Sequence, residues 1–244
     1  MKIKNSTIAV TGASRGIGKA VALEAARRGA LGIILNCFTN CKLAQKLSTT
    51  IRSFGAETVV VKADVSQFNE ARKIVEEAIK KWGRIDTLVN NAGILSIREF
   101  ISQKPSEWER VISVNLLGTI NTSFHALRYM VKVRRGVIVN ISSILGINPE
   151  PMVSHYSAAK AAIIAWTRSV AKEVARYGVR IFVVAPGGVD TDMIRAWGDP
   201  SEWVEDEIPL GRLARPEEIA KIILDAIENP YISGDIITIS GALL

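Results

Sequence analysis

Short runs of β-branched and aliphatic residues alternate with longer amphipathic stretches along almost the whole chain. No other feature of the sequence constrains its fold as tightly. The strand candidates are residues 7–10, 33–35, 58–61, 87–89, 137–141, 180–184 and 236–239. Between them lie stretches of helical periodicity around 19–28, 42–54, 70–81, 107–132, 158–177 and 216–228. Several of these stretches run into a glycine (Gly29, Gly55, Gly83, Gly136, Gly178), the usual helix stop. Runs such as VIVNI and IFVV are apolar on both faces of the pleat, which suits strands covered by helices on either side. Strand–helix alternation of this kind requires parallel strands joined by right-handed crossovers. The expected class is therefore α/β: a doubly wound parallel sheet of about seven strands with helices on both faces. At 244 residues, with no linker, repeat or low-complexity tract, the chain suits one domain spanning 1–244.

Charge and composition narrow the function classes. The chain is 48% hydrophobic and carries a net charge of +7. That basic balance admits an anionic small molecule or an acidic protein as partner. No basic block interleaves with aromatics, so nucleic acid is not expected. No apolar run approaches the roughly 18 residues a membrane span needs, and the N-terminus enters a short strand directly, so a cytoplasmic protein is expected. Cys37 and Cys41 form an isolated C-x3-C pair, a poor metal site and a poor disulfide framework, which fits a reducing compartment. His125 and His155 have no metal-ligand partner at a useful interval, and no metal is expected. Arg168, Lys172 and Arg176 stand at helical spacing and read as a solvated basic face.

Two local patterns carry chemistry. The run IAVTGASRGIGKAV places Gly12, Gly16 and Gly18 between the first strand and the first helix. Glycines there let the backbone turn sharply and approach a pyrophosphate seated on the helix N-terminus, the arrangement of Rossmann-type sheets. The second strand ends in LNCFTNCK, with Asn36 and Cys37 where an acid would hold a ribose 2′-hydroxyl. Arg15, within the glycine loop, offers a planar fork suited to a 2′-phosphate. NADP(H) is thus favoured over NAD(H). The second pattern is Tyr156 and Lys160, four apart at the head of the alanine-rich run SHYSAAKAAIIAW. Residues four apart share a helix face, and a neighbouring ammonium is expected to lower the phenol's pKa toward a usable acid or base. Ser143, at a strand end, can donate to a carbonyl oxygen or a developing alkoxide.

Together, TGASRGIG, NNAG, the VNLLG asparagine, NISS, Y-x3-K and APGGVDTDM resemble the short-chain dehydrogenase/reductase family, in order and over nearly the whole chain. The resemblance implies a catalytic set of Asn115, Ser143, Tyr156 and Lys160, with Asn115 arranging a water-linked proton path to Lys160. It implies cofactor contacts from Gly12, Ser14, Arg15, Gly16, Ile17 and Gly18, then from Asn36, Cys37, Asp64, Val65, Asn91, Ala92 and Gly93. Pro186, Gly187, Val189 and Thr191 would follow beside the nicotinamide, with Tyr156 and Lys160 also touching the cofactor. Asn90 is expected to brace the sheet instead. Residues 191–210 read as a substrate lid in which Trp197 and Trp203 cover the substrate or seal the lid.

Within the family, TGASRGIG, NNAG and IPLGRLARPEEIA are most similar to 3-oxoacyl-[acyl-carrier-protein] reductases. The implied reaction is NADP(H)-dependent reduction of a 3-oxoacyl thioester, with Tyr156 as proton donor. Arg134, Arg135 and Arg176 are candidate docking cations for an acyl-carrier protein. A dehydrogenase of a sugar, polyol or other small alcohol shares the chemistry. A non-catalytic cofactor-binding regulator shares only the fold, and the presence of all four catalytic residues argues against it. The resemblance also implies a homotetramer built through the helices at 107–132 and 158–177, where Ala158, Ala161, Ala162 and Ala165 permit close packing.

Overall fold

The computed structural model describes residues 1–244, apart from the side chains of Ala196 and Trp197. Trp197, one of the two candidate lid aromatics, therefore lies outside the described residues. Seven strands, β1 (Thr7–Val10), β2 (Gly32–Cys37), β3 (Glu57–Lys62), β4 (Thr87–Asn90), β5 (Gly136–Ile141), β6 (Val179–Pro186) and β7 (Ile236–Ile239), form one sheet in the order β3-β2-β1-β4-β5-β6-β7. Every pairing is parallel. The order reverses between β1 and β4, which opens a crevice at their carboxyl ends.

Helices α1 (Gly16–Arg27), α2 (Cys41–Ser53), α3 (Phe68–Trp82), α4 (Pro105–Ile112), α5 (Gly118–Val133), α6 (Ser154–Val174), α7 (Val204–Glu207) and α8 (Pro216–Glu228) complete the chain's main elements. Successive strand residues point to opposite faces and feed two separate cores. Ile33, Leu35, Val139 and Phe182 pack with α1, α2 and α8 on one face. Ile34, Ile138 and Ile181 pack with α3, α5 and α6 on the other. This two-sided burial is why the strands read as unbroken apolar runs.

The helix expected over 107–132 starts earlier and is not uniform. Pro105 opens α4, where its missing N–H is harmless, and Glu107 Oε2 accepts from the Lys104 amide at 2.8 Å. A π-helical turn at Ser113–Leu117 then joins α4 to α5. Such a turn adds a residue to the coil and redirects the side chains within it, here including Asn115.

The expectation of unpaired cysteines is overturned: Cys37 and Cys41 are joined by a disulfide. Cys37 is the last residue of β2 and Cys41 the first of α2, and the tight turn between them brings the Cα atoms to 5.3 Å, within bonding range. Sequence spacing alone does not reveal how sharply the chain doubles back here.

Candidate active site

A cleft of about 840 Å³ runs along the carboxyl ends of β1 to β6, lined in turn by Gly12, Cys37, Asp64, Ala92, Ser143 and Gly187. Each lies at or just beyond a strand's end, where a parallel sheet exposes unpaired backbone and side chains converge. Of the residues singled out from sequence, Ser14, Arg15, Gly16, Ile17, Asn36, Val65, Asn91, Gly93, Tyr156, Lys160, Pro186, Val189 and Thr191 also border this cleft. Gly18 and Asn115 do not appear among its lining groups.

The glycine loop is shaped by close backbone approach. Gly12 has a φ of +61°, and a Cβ on it would stand 2.9 Å from the Ala92 Cα. Any larger residue would push the loop off the end of β4. Gly18 serves beneath the loop: a Cβ there would meet the Gly12 carbonyl at 2.6 Å and the Asn91 amide at 2.5 Å. That amide donates to the carbonyls of Thr11 (3.0 Å) and Gly12 (3.1 Å), tying the loop to the segment after β4.

Two residues at or just beyond the ends of β2 and β3 have committed side chains. Asn36 Oδ1 accepts from the Gly12 amide at 3.3 Å, while Nδ2 donates to Val61 and Ala63 carbonyls at 3.2 and 3.0 Å. It therefore stitches three strand ends together in addition to bordering the cleft. Asp64 accepts from the Ser66 amide and hydroxyl through Oδ1 and from Arg110 Nη2 through Oδ2, the latter at 3.0 Å. Burial opposes its charge, but the Ser66 hydroxyl and amide and the Arg110 guanidinium outweigh that and hold its carboxyl below the usual range. Arg15 is exposed and pairs with Asp192 at 3.0 Å, spanning from the glycine loop to the segment after β6.

At the other end, α6 delivers Tyr156 and Lys160 to the cleft on one face. Both are buried, at 7% and 4% exposure, and the Lys160 Nζ lies 5.5 Å from the centre of the Tyr156 ring. The ammonium donates to the Ile141 carbonyl at 2.8 Å. Burial lowers its pKa from 10.5 to about 8. The expected depression of the Tyr156 pKa by this lysine is not what the site shows. Burial raises the phenol to about 12, with only the Ser143 hydroxyl opposing. The lysine makes no resolved contribution to this shift, its ammonium being engaged by the Ile141 carbonyl, so desolvation sets the sign. Tyr156 is accordingly a protonated donor at neutral pH.

Ser142 and Ser143 divide their work. Ser142 Oγ donates to the Lys160 carbonyl at 2.8 Å and so anchors α6. Ser143 Oγ accepts from the Leu145 amide at 3.1 Å and turns its hydroxyl toward Tyr156. Asn115, fully buried on the π turn, donates through Nδ2 to Ile94 and Val111 carbonyls (2.8 and 2.9 Å) and accepts from the Ile94 amide (3.2 Å). Its amide thus fixes the backbone after β4. A Cβ on Gly93 would stand 2.5 Å from Asn115 Oδ1 and 3.7 Å from Lys160 Nζ, so both groups crowd this glycine. Asn90 Nδ2 donates to Asn140 Oδ1 (2.8 Å) and Ser123 Oγ (2.7 Å), bridging β4 to β5 and α5. His155 does not border the cleft and is 5% exposed, with burial lowering its pKa.

Sequence reasoning missed Arg110, which reaches the cleft from α4 and lies 5.9 Å from the centre of the Phe38 ring. It also missed Asn148 and Glu150, which border the cleft, whereas Trp203 and Glu207 border it from within the expected 191–210 lid. Nothing in the spacing marks Arg110, Asn148 or Glu150, because their helix and turn meet the cleft only in space. Among the described residues no group of three or more His, Cys, Asp or Glu side chains is placed to hold a metal, and no helix is long and apolar enough to cross a membrane.

The family model for short chain dehydrogenase matches residues 6–202. The chain is 36% identical to a 3-oxoacyl-[acyl-carrier-protein] reductase of Thermotoga maritima, with 100% of both chains covered. It is 37% identical to the corresponding reductase of Synechocystis, over 96% of this chain and 95% of the relative. A crystal structure of a short-chain type dehydrogenase/reductase from Mycobacterium marinum superposes with a TM-score of 0.94 at 31% identity, over 99% of this chain and 96% of that one. With a strand-end cleft and a buried Tyr–Lys pair bordering it, the chain belongs to the short-chain dehydrogenase/reductase family of nicotinamide-dependent oxidoreductases acting on C=O and CH–OH groups.

Proposed function

We propose that the protein reduces the keto group of a 3-oxoacyl thioester to a secondary alcohol with NADP(H). The observation that carries this reading is the convergence of Ser143, Tyr156 and Lys160 at one end of a dinucleotide-sized cleft. The glycine loop and the segment after β4 would hold the pyrophosphate, Asp64 and Val65 the adenine, and Pro186, Gly187, Val189 and Thr191 the nicotinamide. When bound, the nicotinamide supplies the hydride. Ser143 orients the carbonyl and donates to its oxygen as negative charge develops. Tyr156, kept protonated by burial, passes its proton to that oxygen. Lys160, still largely charged at pH 7, binds ribose hydroxyls with its remaining donors and helps re-supply the phenol's proton. Asn115 holds the wall beside this path.

NADP(H) rather than NAD(H) is supported by the absence of an acid at the end of β2 and by Arg15 on the cleft rim. A carrier-bound substrate is supported by the names of the relatives and by a basic corner where Arg134 donates to the Arg176 carbonyl at 2.9 Å, next to Arg135. A homotetramer is supported by exposed Leu117 and Phe124 on the α5 side and by exposed Ala158, Ala161 and Ala165 on α6. A second reading, oxidation of a sugar or polyol, draws on Glu150, Glu207 and Asn148, which could accept hydrogen bonds from several hydroxyls at the substrate side.

Turnover of a panel of carrier-bound and coenzyme A-bound 3-oxoacyl thioesters, sugars and polyols with both cofactors separates these readings. Preference for polyols over every thioester would overturn the first. Tyr156→Phe should lower turnover by about 10²–10⁴ while cofactor affinity stays near wild type. Retained turnover would remove Tyr156 from the proton path.

A further inference from the structure

We propose that Cys37 and Cys41 form a dithiol–disulfide switch that sets how tightly the adenosine end of the cofactor is held. This rests on the cleft being the dinucleotide site. The chain's only two cysteines lie at the end of β2, and Cys37 with the next two residues, Phe38 and Thr39, forms part of the cleft wall. The bond clamps the turn between a strand end held in the sheet and the first residue of α2.

That turn supports a chain of contacts to the adenosine site. Phe38, 47% exposed, lies beneath the Arg110 guanidinium, 5.9 Å from ring centre to Cζ. Arg110 in turn donates to Asp64 at 3.0 Å and to Ser66 Oγ at 2.9 Å. Asp64 and Arg110 both border the cleft. With the bond intact, Phe38 is fixed where it backs Arg110, and Arg110 is fixed where it backs Asp64. Without it, the turn of Phe38, Thr39 and Asn40 regains conformational freedom that cofactor binding must then remove.

The two sulfurs are unequal in a way that suits exchange. Cys41 is half-buried and is the first residue of α2, so an external disulfide or thiol reaches its sulfur. Cys37 is 2% exposed. The Cys41 thiolate attacks one sulfur of a small-molecule disulfide, forming a mixed disulfide and expelling one thiolate. The Cys37 thiolate then attacks the Cys41 sulfur, closing the protein bond and expelling the second. Two protein thiols are oxidised and one external disulfide is reduced to two thiols. The reverse sequence with a monothiol opens the bond.

The test compares the full protein equilibrated with dithiothreitol and with oxidised glutathione. Thiols are counted with Ellman's reagent after denaturation, and affinity is measured for 2′,5′-ADP, which has no nicotinamide and needs no carbonyl substrate. The reduced protein should show two thiols and bind the fragment about three- to tenfold more weakly. The oxidised protein should show none. Cys41→Ser should bind like the reduced protein and ignore oxidant. Equal affinity in the two states, failure of oxidised glutathione to remove the thiols, or an oxidant response in Cys41→Ser would each overturn the proposal. Because the fragment reports the adenosine end alone, none of these outcomes depends on which carbonyl compound is the substrate.

Discussion

Lys160→Met should make the protein's stability depend on pH differently from wild type. The lysine's pKa falls from 10.5 in water to about 8 in the fold, because a charged ammonium is disfavoured in a buried site. The drop corresponds to about 3 kcal/mol against the folded state when the group is charged in both states, at 1.36 kcal/mol per pKa unit. Below pH 8 the folded and unfolded chains both carry the proton, and the full penalty applies. Between 8 and 10.5 the unfolded chain binds more protons, so this group's contribution to wild-type stability rises with pH. Above 10.5 neither state is charged there, and the penalty is gone. Methionine has the length and no charge, so the variant lacks the penalty at every pH. Loss of the 2.8 Å bond leaves the Ile141 carbonyl without that donor, which costs about 1–3 kcal/mol at any pH and obscures the absolute difference. The change in that difference with pH is unaffected by it. Urea unfolding of both proteins, at one protein concentration, at about pH 7 and about pH 9.5, should show the variant's relative stability declining by about 2 kcal/mol over that interval. A difference independent of pH would mean that Lys160 keeps an ordinary pKa in the fold, and the argument from burial would be wrong.

Arg15→Ala should weaken NADPH binding far more than NADH binding in fluorescence titrations; an equal effect on both would count against 2′-phosphate recognition. Gly93→Ala places a methyl 2.5 Å from Asn115 Oδ1, so the segment after β4 must shift, and turnover should fall more than cofactor affinity. Unchanged kcat would show that this wall is dispensable. Phe182→Ala empties a fully buried site on β6, beneath α8, and should destabilise the protein by about 3–5 kcal/mol with no change in cofactor preference. A loss under about 1 kcal/mol would mean the core collapses to fill the space.

The sequence by itself determined the layered architecture and most of the site. Strand and helix periods are local properties, and each leaves its own spacing of apolar residues, so seven strands and their covering helices are legible in the text of the chain. Glycine loops, Y-x3-K and the serine at a strand end are likewise compact motifs whose members share an element or a turn. Tertiary structure decided what depends on distance and dielectric. Only the folded chain shows that Asn36 holds backbone and which backbone Asn115 holds, because their partners, Val61 on β3 and Ile94 after β4, come from other strands and their ends. Only it brings Arg110 over Phe38 and onto Asp64. The pairing of Cys37 with Cys41 depends on the angle of a turn that spacing does not encode. The protonation of Tyr156 was decided in the same way. A lysine four residues on suggested a lowered pKa, but the depth of burial reverses the sign, and burial is a property of everything packed around the pair.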